Sequence, residues 1–276
     1  MRTRQRGVAL ISVLLVMSLA LLIIGGVLRS HRLLLQSSGQ QLQQIHLRQL
    51  AAGGEVWALS LLMAQQKNSD PIPEQLPGLD TEDAQIRVDI EDLAGRFNLN
   101  ALLTQGQIDQ VTLNRWARLL NLLELPPVQL EQVGVLRELS QLRLLPGVDG
   151  QLLRRLEPWV ALLPTDAALN INTAPALVLR TLEGVEPAMA NALLRQRSTS
   201  PWPSVQAFTR DPLLSGLGLS SHGLGIGSRW YRITVQVAQG QGRLRLATDV
   251  ERDPKTRQLN VLQRRLLPSN THEKLQ

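Results

Sequence analysis

Asp249, Glu251 and Asp253 alternate along DVERD (249–253), and at a strand end they could offer carboxylate oxygens to a hard cation such as calcium. The same spacing suits a solvated charge cluster, and both readings stand. Other chemistry-bearing residues are dispersed. The four histidines, His31, His46, His222 and His272, show neither metal-ligand spacing nor a neighbouring nucleophile. With no cysteine, the chain forms no disulfide and no thiolate metal site, and its redox compartment stays open. GLGLSSHGLGIG (216–227) contains Gly-x-Gly steps but precedes a strand, whereas a phosphate-binding fingerprint opens a helix, so it reads as a flexible loop. LPGVDGQLLRRL (145–156) and LEGVEPAMANAL (182–193) repeat Leu-x-Gly-Val-acid around Gly147 and Gly184 and look like helix-hairpin-helix turns. In nucleic-acid-binding versions, backbone N–H groups of a second glycine turn hold a phosphate. Asp149 and Glu186 occupy that place here, no lysine is close, and a carboxylate there repels a phosphate. Nothing in this inventory supports an enzyme.

The elements that must position these residues begin with an apolar rod. Val8 to Leu28 are uncharged and mainly apolar, and as a helix they match the roughly 30 Å core of a bilayer. A cleaved secretory signal is shorter and ends in small residues, which Gly25, Gly26 and Arg29 fit poorly. Arg2, Arg4 and Arg6 precede the span, so the positive-inside rule keeps the N-terminus cytoplasmic and makes the chain single-pass. Beyond it, Leu42, Ile45, Gln49, Ala52, Val56, Leu59 and Met63 fall on one helical stripe. With no proline before Pro71, the helix is expected to continue to about Gln66, with this stripe packed against the folded domain as ordinary core.

The formal net charge of +6 is local. Up to Gly54 there are six arginines and no acid, which leaves 23 basic and 23 acidic residues in the remainder. A neutral folded part argues against binding nucleic acid by counterion release.

KNSDPIPEQLPGLDTED (67–83) reads as a linker or surface loop, and AQIRVDI alternates as a half-buried strand. Short helices punctuated by prolines fill the middle. WYRITVQVA, RLRLATDVE and QLNVLQRRLL, joined by the turns QGQG and DPKT, form an antiparallel meander. The expected class is α+β, with a helical subdomain inserted between strands. The expected segments are a basic leader (1–7), the N-terminal helix (8–66), the first part of the α/β domain (67–104), the helical insertion (105–212) and the C-terminal strands (213–276).

A basic leader ending in Gly7, followed by an apolar helix from Val8, resembles the class III signal of type IV pilins and type II secretion pseudopilins. That resemblance implies cleavage by prepilin peptidase between Gly7 and Val8, N-methylation of Val8, and a hydrophobic segment retained first as membrane anchor and later as filament core. Most such subunits carry glutamate at the fifth mature position, where it meets the amine of the subunit above. Here that position is Ser12. A chain without the acid suits the tip, where nothing lies above.

Ser12, the large size, the helical insertion, VDIEDLAGRFNLNALL (88–103), LNINTAP (169–175) and GSRWYRITVQV together resemble the K-type minor pseudopilins of type II secretion systems. The resemblance implies a pilin-like long helix on an antiparallel sheet with a SAM-like, helix-hairpin-helix-containing insertion. It also implies a tip complex with minor pseudopilins I and J, and also H, on the pseudopilus core. The protein would sit in the bacterial inner membrane with its C-terminal domain in the periplasm, and the tip would meet the secretin or exported substrate. Leu35, Leu42 and Ile45 are the expected packing residues for partner helices. Some members bind calcium near the strands, for which Asp249, Glu251 and Asp253 are the candidates here, and no nucleic acid is expected. Val8 departs from the commoner phenylalanine or methionine, and the cysteine pair of some relatives is missing. LNINTAP beside a hairpin also resembles the modules of DNA-uptake proteins, so a membrane-anchored DNA receptor is the alternative.

Overall fold

The computed structural model describes residues 5–64, 76–81, 83–104, 107–130 and 134–268. Its first element, α1 (Gln5–Ala64), is one helix of 60 residues, about 90 Å long at 1.5 Å per residue. It runs without interruption through Gly25, Gly26, Gly53 and Gly54, and through the Gly7–Val8 junction. Residues 1–4 of the expected leader lie outside the described residues.

The C-terminal part of α1 lies across a five-stranded antiparallel sheet in sequential order. Its strands are β1 (Leu79–Asp80), β2 (Gln85–Asp92), β3 (Trp230–Gln239), β4 (Gly242–Arg252) and β5 (Leu259–Leu267). Strict alternation sets the register: Val88 sits opposite Val235 and Ile90 opposite Ile233, so the helix-facing side of β2 and β3 is apolar from Ile86 to Ile90. That face, with Tyr231, Val237 and Val250, buries Leu47, Ala51, Ala58 and Leu62 of α1. Gly54 is what permits the close approach. A Cβ built there would stand 2.7 Å from Val235 Cγ1 and 3.2 Å from Ile86 Cγ2.

This arrangement corrects the stripe expected to pack against the domain. Leu42, Ile45, Val56 and Met63 are 67%, 52%, 66% and 49% exposed, and the stripe they form points away from the sheet. The helix presents its small residues, Ala51, Gly54 and Ala58, to the strands, because a twisted sheet admits a helix backbone closely only where side chains are short. Hydropathy periodicity alone selects the bulkier stripe and thus the wrong face.

Between β2 and β3 the described residues are mainly helical or irregular: α2 (Gln110–Leu122), α3 (Gly150–Leu156), α4 (Ala176–Leu179), α5 (Pro187–Thr199) and α6 (Val205–Thr209), with short 3₁₀ segments and three small two-stranded pairings, Phe97–Asn98 with Val160–Ala161, Leu103–Thr104 with Gln107–Ile108, and Leu169–Asn170 with Leu224–Gly225. This insertion has two cores of its own. One gathers around Trp116, which stacks on Phe97 at 5.8 Å and donates its indole N–H to Val128 O at 2.9 Å. The other packs Ile171, Leu179, Leu193 and Phe208. Asn98 and Asn100 of GRFNLN are buried and tie the start of the insertion to its middle. The Asn98 amide donates to Pro164 O at 2.8 Å, and that of Asn100 donates to Leu136 O and Leu163 O at 2.9 and 3.0 Å.

Candidate functional site

The largest unsatisfied surface is α1 itself. From Ser12 to Ile45 its residues are exposed, and the stretch starting at Ser12 is long and apolar enough to cross a membrane. Ser12 lies exposed on this rod, and Gly7 and Val8 sit within the same helix. Past the polar ring of Arg29, His31 and Arg32, apolar surface resumes with Leu33, Leu34 and Leu35, and Leu35 is 74% exposed. Leu42 and Ile45 continue it onto the outward stripe that ends at Met63. Leu35, Leu42 and Ile45 therefore contribute nothing to the chain's own core. These exposed apolar side chains form a row that the chain's own sheet, on the other side of the helix, leaves uncovered.

The strand-end acids do not assemble a metal site. Asp249 accepts from Arg232 Nε and Nη2 at 2.7 and 2.9 Å and from Arg265 Nη2 at 3.2 Å. The Asp249 hydrogen bonds and charge keep the Arg232 pKa raised although burial opposes this. Asp253 closes its own turn, accepting from the backbone N–H groups of Lys255 and Thr256 at 2.8 and 2.7 Å. A cation would have to displace two guanidiniums from Asp249, and among the described residues no three His, Asp or Glu side chains gather around a common point. The donor set does not fit calcium.

Both hairpin turns are real, with Gly147 and Gly184 at φ +78° and +74°. In the first, Asp149 caps α3, accepting from Gln151 N and Leu152 N at 2.9 and 2.7 Å. The carboxylate occupies the very donors a phosphate would use. In the second, Pro187 removes a donor at the start of α5, and Arg118 is paired with Glu183 at 3.3 Å. The glycine-rich loop, expected to be flexible, is instead pinned to the start of α2. His222 Nε2 lies 3.0 Å from Asp109 Oδ2, and Arg115 donates to His222 O at 2.9 Å. Burial pushes the Asp109 carboxyl upward, but the bond from Thr112 and the His222 charge outweigh it and hold it below its ordinary value.

Sequence reasoning missed the joint between sheet and insertion. Asp92, at the end of β2, accepts from Ala94 N at 2.8 Å, Asn170 Nδ2 at 2.6 Å and Thr173 Oγ1 at 2.7 Å, with Ser228 as a further partner. Burial is the largest influence and raises its pKa, against the opposing effect of those bonds. Beside it, Glu91 receives a bidentate Arg96 at 2.5 Å. The signal was present as two separate motifs, VDIEDLAGR and LNINTAP, each with unexplained polar residues next to apolar runs.

Comparison with known proteins agrees with this architecture. The family profile for type II secretion system (T2SS), protein K, matches residues 169–226, which include Asn170 and Thr173. Type II secretion system protein K of Pseudomonas aeruginosa is 27% identical over 91% of this chain and 90% of its own length. The protein of the same name from Klebsiella pneumoniae is 25% identical over 96% and 97%. Among solved structures, a chain of the GspK-GspI-GspJ complex from the type 2 secretion system of enterotoxigenic Escherichia coli superposes with a TM-score of 0.69. It is 21% identical, and the match covers 85% of this chain and 99% of that one, so the two share a fold.

Proposed function

We propose that the chain is a type II secretion system protein K, a minor pseudopilin that caps the pseudopilus tip, with I and J as partners. The observation that carries this reading is the outward stripe of α1, a row of exposed apolar residues running into a membrane-length segment. In this reading the helix first holds the chain in the inner membrane with the folded domain in the periplasm, and Leu35, Leu42 and Ile45 pack on the N-terminal helices of I and J. Prepilin peptidase cuts between Gly7 and Val8, and Val8 is methylated. Ser12 in place of the usual acid leaves the subunit without the group that would meet an amine above it, which suits the end of the fibre and the start of its assembly. H joins the complex on the pseudopilus core, and the exposed tip meets the secretin or exported substrate. The role is structural rather than catalytic.

The test is co-expression of the full chain with candidate I and J subunits and prepilin peptidase. The expected outcome is loss of residues 1–7 by mass spectrometry and a complex containing all three proteins. An Ile45→Asp chain that still co-purifies with both partners at full yield refutes the packing surface, because an unpaired carboxylate there cannot be buried cheaply.

A further inference from the structure

The face of the sheet turned away from α1 carries a feature that this assembly role does not use. Since Val235 and Val237 face the helix, Gln236 faces outward, and in register across the strands it stands between Arg87 of β2 and Arg245 of β4. Arg243 lies two residues along β4, on the same face, beside the β3–β4 hairpin. Adjacent strands are about 4.8 Å apart and alternate residues along a strand about 6.8 Å, so the three guanidiniums arise from positions within roughly 12 Å of one another.

Among the described residues, none of these three arginines enters an ion pair. Arg87 and Arg243 are exposed, while Arg245 is half-buried and its Nε, shielded from solvent, has no hydrogen-bond partner. A shielded guanidinium N–H without an acceptor is costly for a fold to keep. The other end of the same face behaves differently. There Arg232 and Arg265 share Asp249, so their charge is internally neutralised. Asp89 stands between the two regions, on the Arg87 strand.

We propose that the hairpin end of this outer sheet face docks an extended polypeptide segment bearing carboxylates at alternate positions. The argument is charge complementarity in register: a strand-like acidic segment repeats its side chains at the spacing that separates Arg243 from Arg245, and arginine favours planar, bidentate pairing with carboxylate. Nucleic acid fits less well. Three guanidiniums neutralise few phosphates, and beyond Gly54 the chain is charge-balanced. The proposal does not rest on tip assembly, since it concerns binding by the chain alone.

The test uses the full chain in detergent micelles and a fluorescein-labelled peptide of about ten residues alternating glutamate and threonine, read by anisotropy. Saturable, salt-sensitive binding is expected. The double variant Arg243→Glu/Arg245→Glu should weaken it at least about tenfold. The same reversal at Arg137 and Arg143, in the insertion, should leave it unchanged. Arg87→Gln, at an exposed site, should weaken binding in the same direction and serves the test if the double reversal does not fold. Absence of saturable binding, equal binding by the face and insertion variants, or tighter binding of a single-stranded oligonucleotide than of the peptide would overturn the proposal.

Discussion

Gly53 and Gly54 are adjacent on α1, and the structure assigns them opposite responses to the same substitution. A Cβ on Gly53 meets nothing within 4 Å, so Gly53→Ala should stabilise the domain by up to about 1 kcal/mol, the helix-propensity difference between glycine and alanine. Gly54→Ala gains the same propensity but drives a methyl to 2.7 Å from Val235 Cγ1, with Ile86 Cγ2 at 3.2 Å and Val88 Cγ2 at 3.4 Å. Val235 is fully buried and stiff at χ1, so it cannot swing aside, and overpacking of this kind costs roughly 1–3 kcal/mol. The two variants should therefore differ by roughly 2 kcal/mol, or about 4–8 °C in melting temperature for a folded part of this size. Thermal unfolding of the full chain in detergent, followed through near-ultraviolet dichroism, measures the gap. Equal stabilisation by both alanines would show that helix and sheet are not in the close contact described, and the assignment of the inward face would fall with it.

Four further outcomes follow from the same geometry. Val56→Asp, on the outward stripe, should change stability by no more than about 0.5 kcal/mol, whereas Ala58→Asp, fully buried, should cost roughly 3–5 kcal/mol, read by denaturant unfolding. Asp92→Ala leaves the Asn170 and Thr173 donors without their acceptor and should cost about 2–4 kcal/mol, with protease cleavage near the insertion joint as a second readout. Because burial raises the Asp92 pKa above 3.8, its contribution to stability is fully present below that value and is lost as pH rises through the higher native pKa. Wild type should therefore lose stability over that window relative to Asp92→Asn, and parallel pH profiles would refute the assignment. Calcium or a chelator should leave the melting temperature unchanged, since Asp249 is already held by Arg232 and Arg265.

Much was legible from local chemistry. The membrane-length rod, the half-buried strands, the meander and the hairpin turns rest on short-range periodicity or on single residues such as Gly147 and Gly184, and each is visible within a dozen positions. The α+β class with a helical insertion followed from their order, and the structure bears it out. Asp149 was read as a poor phosphate neighbour, and it proved to be the cap of its own helix.

What the amino-acid sequence determined by itself was the kind of element each segment makes, because apolar period, proline placement and glycine conformation act over a few residues. Tertiary structure alone decided which face of α1 goes inward, because both faces are apolar and the choice turns on how closely Gly54 lets a backbone approach Val235. It also decided the fate of the acids. Asp249 is neutralised by arginines on two other segments, and Asp92 gathers donors from residues about eighty positions away, pairings that no local pattern encodes because chain separation says nothing about which side chains a sheet and its insertion bring within hydrogen-bond reach.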